Sequence, residues 1–108
     1  QEDGMFKFSV DTLLIARFPT FTSKIKKVLE VGTNNGIVSL ILSEYTKATI
    51  DAIEIDEKAS KIAKGNFEMN NRQEQISIIN DDYLHHDFKN KKYDYIISNP
   101  PYFSKESG

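Results

Sequence analysis

Short apolar runs alternate with segments of helical periodicity along this chain. Four runs, at 28–31, 49–55, 75–79 and 93–98, have the length and residue types of buried strands. After each of the first two runs, apolar residues recur at the three- and four-residue spacing of a helix face. These residues are Ile37, Leu40 and Ile41 in the first segment and Ala59, Ile62, Ala63 and Phe67 in the second. Strands alternating with helices predict parallel pairing, and therefore an α/β fold with a doubly wound parallel sheet.

Residues next to these elements indicate where helices begin and end. Ser9 is a suitable N-cap for a helix that Pro19 would end, and Asp11 would lie in its first turn. Asp56 is a suitable N-cap for the helix after the second strand. Residues 84–92, which link the third and fourth strands, are few for a crossover connection, so we expect a helical turn or an irregular loop there.

Composition excludes several classes of protein. The 108 residues suffice for one small domain, and no apolar run is long enough to predict a membrane span. The chain has no cysteine, which excludes disulfides and thiolate metal sites and fits a cytoplasmic protein. A net charge of −2 provides no overall attraction to nucleic acid. The adjacent His85 and His86 would point apart, so we interpret them as surface residues and predict no metal site.

Each predicted strand ends in a polar residue that could bind a ligand. These residues are Glu30, Glu54, Asp82 and Asn99. Ligands of open parallel sheets bind beyond the carboxyl ends of the strands, so the four residues are expected to share one site.

The first strand runs into a glycine turn with the pattern Glu-x-Gly-x-x-x-Gly. Gly32 and Gly36 would let the backbone approach a ligand, and the next helix would offer free N–H groups. Asn34 stands where a third glycine is usual, and asparagine tolerates a positive φ better than most residues. No Gly-Lys-Ser/Thr follows, so a P-loop is not predicted. An ordinary strand-to-helix turn remains the alternative interpretation.

Two acidic positions fit a bound nucleoside. Glu54 lies about twenty residues after the glycines, where a carboxylate can accept both ribose hydroxyls, and Ile55 could cover an adenine face. Asp82, which precedes the aromatic Tyr83, could accept a hydrogen bond from an adenine amino group, and Asp81 is its competitor. For these acids, a solvated turn residue or a loop cap is the alternative.

The sequence Asn99-Pro100-Pro101-Tyr102 fits a planar amino group. Such a nitrogen is a poor nucleophile because its lone pair is delocalised. The Asn99 side-chain oxygen and the Pro100 carbonyl could accept its two hydrogens and aim the lone pair at an electrophilic methyl group. Tyr102 could stack on the planar target, as in base-flipping enzymes. A turn with two prolines is the alternative.

With these motifs, the chain resembles class I S-adenosylmethionine-dependent methyltransferases, and more narrowly the bacterial tRNA(Val) adenine N6-methyltransferase family. The stretches that carry the resemblance are 8–14, 30–36 and 98–103. It implies a Rossmann-like sheet, S-adenosyl-L-methionine as cofactor and tRNA or another RNA as substrate.

The resemblance also implies a role for each site residue. It implies that the methionine part of the cofactor lies along Glu30, Gly32 and Gly36. The same end of the cofactor would be closed off by Ser9, Asp11 and Thr12. Glu54 would hold the ribose and Asp82 the adenine. The target adenine would be held by Asn99, Pro100 and Tyr102.

The family's fold continues beyond the fourth strand, so we expect residues 1–108 to be the N-terminal portion of a longer methyltransferase domain. Its fourth strand would then be an unpaired apolar edge that favours self-association, and the isolated chain could be inactive. Other targets with the same chemistry are a glutamine amide of a release factor and a guanine amino group of ribosomal RNA. A domain that binds the cofactor without turnover is the non-enzymatic alternative.

Overall fold

A parallel four-stranded sheet forms the centre of the computed structural model, which describes residues 24–99. The elements are β1 (Lys27–Val31), α1 (Ile37–Ser43), β2 (Thr49–Glu54), α2 (Glu57–Met69), β3 (Ile76–Asn80) and β4 (Tyr95–Ser98). The strand order is β3-β2-β1-β4, and every pairing is parallel. The predicted parallel α/β fold is therefore confirmed.

The strand register aligns the carboxyl ends of all four strands. Val31 of β1 lies opposite Ile53 of β2 and Ser98 of β4, and Glu54 lies opposite Asn80. The residues that follow the strands therefore meet at one edge of the sheet.

Both described helices pack on the same face of the sheet. The strands contribute Val28, Ile50, Ala52, Ile76 and Ile97 to the core on this face, and the helices contribute Val38, Leu42, Ala63 and Phe67. Burial of these side chains is the main stabilising contribution to the fold. Neither helix is both long and apolar enough to cross a membrane, within the part of the chain that the structure describes.

The boundaries of three elements have local causes. Asp56 caps α2 as predicted, since its carboxylate accepts a hydrogen bond from the Ala59 N–H at 2.8 Å. The Asp94 carboxylate accepts the N–H groups of Lys26 and Lys27, at 2.8 and 2.9 Å. These bonds tie residue 94 to the start of β1, and β4 begins one residue later, at Tyr95. The link before β4 is irregular, as predicted.

One core assignment was wrong. Ile62 was predicted to lie on the buried face of α2, but 51% of its surface is exposed, whereas Ser60 is buried. Ala63 and Phe67 face the sheet as expected. The buried face of α2 is thus narrower than its apolar residues suggest. The helix is rotated so that Ala63 and Phe67, and not Ile62, face the sheet. The helix predicted between Ser9 and Pro19 lies outside the described residues.

Candidate functional site

The ends of β1, β2 and β4 are joined by hydrogen bonds at the carboxyl edge. The N–H groups of Gly32 and Thr33 both donate to the Ile53 carbonyl, at 2.9 and 3.2 Å. The Asn99 N–H donates to the Val31 carbonyl at 2.9 Å and extends the β1–β4 ladder by one residue. The glycine turn is thus held between the ends of two neighbouring strands.

The glycine turn has three residues with positive φ. The φ values are 77° for Gly32, 59° for Asn34 and 89° for Gly36. Asn34 therefore adopts the left-handed conformation expected of a residue in the place of a glycine. The turn ends at Gly36, the N-cap of α1, where the Asn35 side-chain oxygen accepts the Ile37 N–H at 3.2 Å.

At Gly32 and Gly36, neighbouring residues occupy the space that a side chain would need. A Cβ on Gly32 would lie 2.8 Å from the Asn99 carbonyl oxygen. A Cβ on Gly36 would lie 2.6 Å from the Phe67 ring and 3.2 Å from the Ala63 Cβ. Because Gly32 has no side chain, Asn99 can lie against the turn. Because Gly36 has none, α2 can also pack against it.

Glu30 lies at the centre of a buried polar cluster beneath this turn. Its side chain has no exposed surface. Its Oε1 accepts hydrogen bonds from the hydroxyls of Thr33 and Ser39, at 2.7 and 2.6 Å, and its Oε2 accepts one from Asn99 Nδ2 at 3.4 Å. Burial raises the pKa of the Glu30 carboxyl from 4.5 to about 7, while the three hydrogen bonds oppose that rise by stabilising the carboxylate.

Thr33 and Ser39 were not identified from the sequence. Both are fully buried, and both donate to Glu30. The sequence feature that could have indicated a buried Ser39 is its place between Val38 and Leu42, on a helix with few other polar residues. A buried serine needs a hydrogen-bond partner, but the sequence did not indicate that this partner is Glu30.

Glu54 connects the end of β2 to the glycine turn. Its Oε1 accepts the Asn34 N–H at 2.7 Å, and its Oε2 accepts the Asp56 N–H at 3.0 Å. A carboxylate has about four acceptor positions, so further hydrogen bonds to a ligand are possible at both oxygens. Ile55, beside it, is 67% exposed. Asn80 at the end of β3 donates to the carbonyls of Glu54 and Ile55, at 2.9 and 3.2 Å.

After β3, two aspartates each pair with one histidine. Asp82 Oδ2 lies 3.0 Å from His85 Nδ1, and Asp81 Oδ2 lies 2.8 Å from His86 Nδ1. These contacts are the main reason that the pKa of each aspartate lies below its usual value. Asp82 Oδ1 also accepts the Leu84 N–H at 3.0 Å, so Asp82 caps this loop, and its role in binding an adenine amino group stays a prediction.

The two histidines point to different partners, as adjacent residues were expected to do. His85 is largely exposed, whereas His86 packs edge-on against Phe88 with 4.5 Å between ring centroids. Within residues 24–99, no group of three or more histidine or acidic side chains is arranged to hold a metal ion.

Asn99 is the last described residue of the predicted target-binding motif. It is 6% exposed and lies against both Gly32 and Glu30. The structure thus brings together Glu30, Gly32, Gly36, Glu54 and Asn99 around one turn. Ile55 and Asp82 lie at the ends of the neighbouring strands β2 and β3, as described above, and the predicted site residues Ser9, Asp11, Thr12, Pro100 and Tyr102 lie outside the described residues.

The sequence is similar to a known protein family and to several curated relatives. It matches the model of the family described as methyltransferase small domain over residues 8–107. A tRNA1(Val) (adenine(37)-N6)-methyltransferase of Tolumonas auensis is 35% identical over 105 residues, which is 95% of this chain and 43% of the relative. An enzyme of the same name from Bacteroides fragilis is 34% identical over 100 residues, which is 91% of this chain and 42% of the relative. The chain thus spans less than half the length of these relatives.

Solved structures show the same fold. The Trypanosoma brucei PRMT1 enzyme–prozyme complex with AdoHcy matches with a TM-score of 0.72 and 22% sequence identity. The match covers 86% of this chain and 28% of that chain. At this identity, the likeness supports the architecture alone.

Proposed function

This chain belongs to the methyltransferase small domain family, and we propose that it forms part of an S-adenosyl-L-methionine-dependent enzyme that methylates adenine N6 in tRNA. The observation that carries the proposal is the position of Asn99. Its carboxamide lies at the carboxyl end of β4, in contact with Glu30 beneath the glycine turn. A hydrogen-bond acceptor for an amino group thus stands next to a turn suited to a nucleoside cofactor. The names of the two curated relatives support adenine N6 as the target.

The residues at the carboxyl edge fit the proposed cofactor. Glu54 is partly buried and has acceptor positions left for the two ribose hydroxyls. Ile55 offers an exposed apolar surface for the adenine, and Asp82 offers a carboxylate held ionised by His85. We assign the methionine end to the turn around Gly32 and Gly36 and, from the family resemblance, to Ser9, Asp11 and Thr12.

In the proposed reaction, the bound cofactor supplies an electrophilic methyl group on a sulfonium. Asn99 Oδ1 and the Pro100 carbonyl accept the two N6 hydrogens, which orients the nitrogen lone pair toward the methyl carbon. The nitrogen would form its new N–C bond to the methyl group that the cofactor supplies, with the cofactor's thioether as leaving group, and would then lose a proton to solvent. Tyr102 stacks on the adenine and holds it in place. Catalysis by positioning and electrostatics needs no strong base before attack.

The test is methyl transfer by the full-length protein from labelled cofactor to separate pools of tRNA, ribosomal RNA and protein. We expect label in tRNA, recovered as N6-methyladenosine after digestion to nucleosides. Label in guanine or in a glutamine side chain would replace adenine with one of the alternative targets. Cofactor binding without transfer to any pool would favour a non-enzymatic binding domain.

Substitution of Asn99 tests the residue that carries the proposal. Asn99→Ala removes the acceptor for the target amino group, and we expect kcat to fall about 100- to 1,000-fold, the usual effect of removing one such group. Asn70→Ala is the control, because Asn70 is exposed at the far end of α2 and should leave kcat unchanged. Equal loss of activity in both variants would contradict the role of Asn99.

A further inference from the structure

The two ends of the Asn99 carboxamide have opposite chemistry. The oxygen accepts hydrogen bonds and the nitrogen donates them, and they lie on opposite sides of one planar group. A target amino group needs the acceptor. Activity therefore depends on which end of Asn99 faces the target and which end faces the protein.

The protein-facing end is determined by Glu30. Asn99 Nδ2 lies 3.4 Å from Glu30 Oε2 in a buried contact. Because the Glu30 carboxylate only accepts hydrogen bonds when it is ionised, it selects the nitrogen of Asn99. The oxygen of Asn99 is then directed away from Glu30.

Glu30 is itself prevented from turning. The hydroxyls of Thr33 and Ser39 both donate to its Oε1, at 2.7 and 2.6 Å. These two bonds anchor one carboxylate oxygen and leave Oε2 directed at Asn99. Within residues 24–99, no buried side-chain nitrogen or oxygen lacks a partner, so the cluster is complete as it stands.

We propose that Glu30 is a positioning residue, whose carboxylate holds Asn99 with its nitrogen inward and its oxygen presented to the target amino group. The inference rests on the proposed function and assigns Glu30 a role other than direct contact with the methionine part of the cofactor. The reason is that Glu30 is completely buried beneath the turn, with its Oε1 held by Thr33 and Ser39 and its Oε2 by Asn99.

Protonation of Glu30 would reverse this arrangement. A proton on Oε2 makes that atom a donor, so it would face the donor end of Asn99. The carboxamide would then turn over and present its NH₂ group to another amino group, which is unproductive. The ionised form of Glu30 is therefore the active one.

The ionisation of Glu30 falls in a measurable range. Burial raises the pKa of its carboxyl to about 7, and the negative charge of Glu54 on the neighbouring strand contributes to the rise. The hydrogen bonds from Ser39, Thr33 and Asn99 act in the opposite direction. We expect kcat/KM, which reports the free enzyme, to increase with pH through this region.

Glu30→Gln in the full-length protein tests the proposal. Gln has the shape of Glu, and its oxygen would accept from Thr33 and Ser39, so its NH₂ group would face Asn99. We expect a folded protein with cofactor Kd within about threefold of wild type, kcat reduced about 100-fold and no increase of activity with pH near 7. A large increase in Kd would indicate a direct cofactor ligand, and unchanged kcat would indicate a purely structural group. Either result would overturn the proposal.

Two serines of α1 provide a matched pair for the pH profile. Ser39→Ala removes one donor to the Glu30 carboxylate, so the midpoint of kcat/KM against pH should move to higher pH. Ser43→Ala removes a hydroxyl that bonds the Leu40 carbonyl at 2.7 Å, and the midpoint should stay in place. Equal midpoints in both variants would overturn the proposal.

The outcomes separate this inference from the proposed function. Wild-type protein that transfers no methyl group would overturn the proposed function, and the role of Glu30 in it. Active wild type together with an equally active Glu30→Gln variant would overturn the inference alone.

Discussion

At the residue scale, burial of the Glu30 carboxylate opposes folding while serving the site. A charged group removed from water loses hydration that three hydrogen bonds replace only in part, which is why its pKa is raised. The same burial excludes water from the contact with Asn99. Perturbed ionisable groups of this kind are concentrated at functional sites, and Glu30 fits that pattern.

The raised pKa makes the stability of the fold depend on pH. Between 4.5 and about 7 the folded state holds the Glu30 proton more tightly than the unfolded chain does. The stabilising contribution of the protonated group is therefore complete below pH 4.5 and is lost as pH rises through about 7. The difference corresponds to a loss on the order of 3 kcal/mol in the free energy of unfolding.

Urea unfolding of wild type and Glu30→Gln between pH 4 and 8.5 measures this pH-dependent contribution of Glu30 to the free energy of unfolding. Other titrating groups cancel in the difference between the two proteins. We expect the stability of wild type relative to the variant to fall with increasing pH and to level off above 8. Two parallel curves would show that Glu30 keeps an ordinary pKa in the folded protein.

The sequence predicted which residues meet at the site better than it predicted their contacts. Glu30, Gly32, Glu54 and Asn99 were expected at one edge because parallel strands align their carboxyl ends. The bond between Ser39 and Glu30 was not predicted, since it depends on the rotation of α1 against the sheet. That rotation follows from packing and has no local signal in the sequence.

At the element scale, the glycine turn is where α1, α2 and β4 come together. Asn99 approaches the turn at Gly32 and Phe67 of α2 approaches it at Gly36. Strand positions were predicted to within two residues, because apolar runs and turn residues mark them. The buried face of α2 was predicted less well: Ile62 is apolar but exposed, and Ser60 is polar but buried. Hydrophobicity alone did not determine the rotation of this helix.

Two glycine substitutions of opposite effect test this packing. Gly36→Ala places a Cβ 2.6 Å from the Phe67 ring at a φ of 89°, so both strain and overpacking oppose it. We expect a loss of about 2–5 kcal/mol in the free energy of unfolding. Gly65→Ala, in the middle of α2 with open space around the new methyl group, should instead stabilise by about 0.5–1 kcal/mol. Thermal and urea unfolding measure both, and similar changes for the two variants would contradict the role of Gly36.

At the scale of the whole molecule, the sheet is asymmetric. Its centre, β1 and β2, carries the glycine turn and Glu54, whereas β4 lies at the edge with Asn99 at its end. Within residues 24–99, β4 pairs with β1 on one side and with no strand on the other. An edge strand with free N–H and C=O groups is a template for pairing with another chain. This edge was expected from the usual strand order of the family that the sequence resembles.

We therefore expect the 108-residue chain to self-associate through β4. Ile96, in the middle of this strand, is 52% exposed, and Ile96→Lys places a charge that opposes edge-to-edge pairing. Ile62→Lys is the matched control, because Ile62 is 51% exposed but lies on α2. Sedimentation velocity over a range of concentrations should show oligomers for wild type and Ile62→Lys and a shift to monomer for Ile96→Lys. A monomeric wild-type chain would contradict the prediction. An equal shift to monomer in both variants would mean that general surface hydrophobicity drives the association instead of the β4 edge.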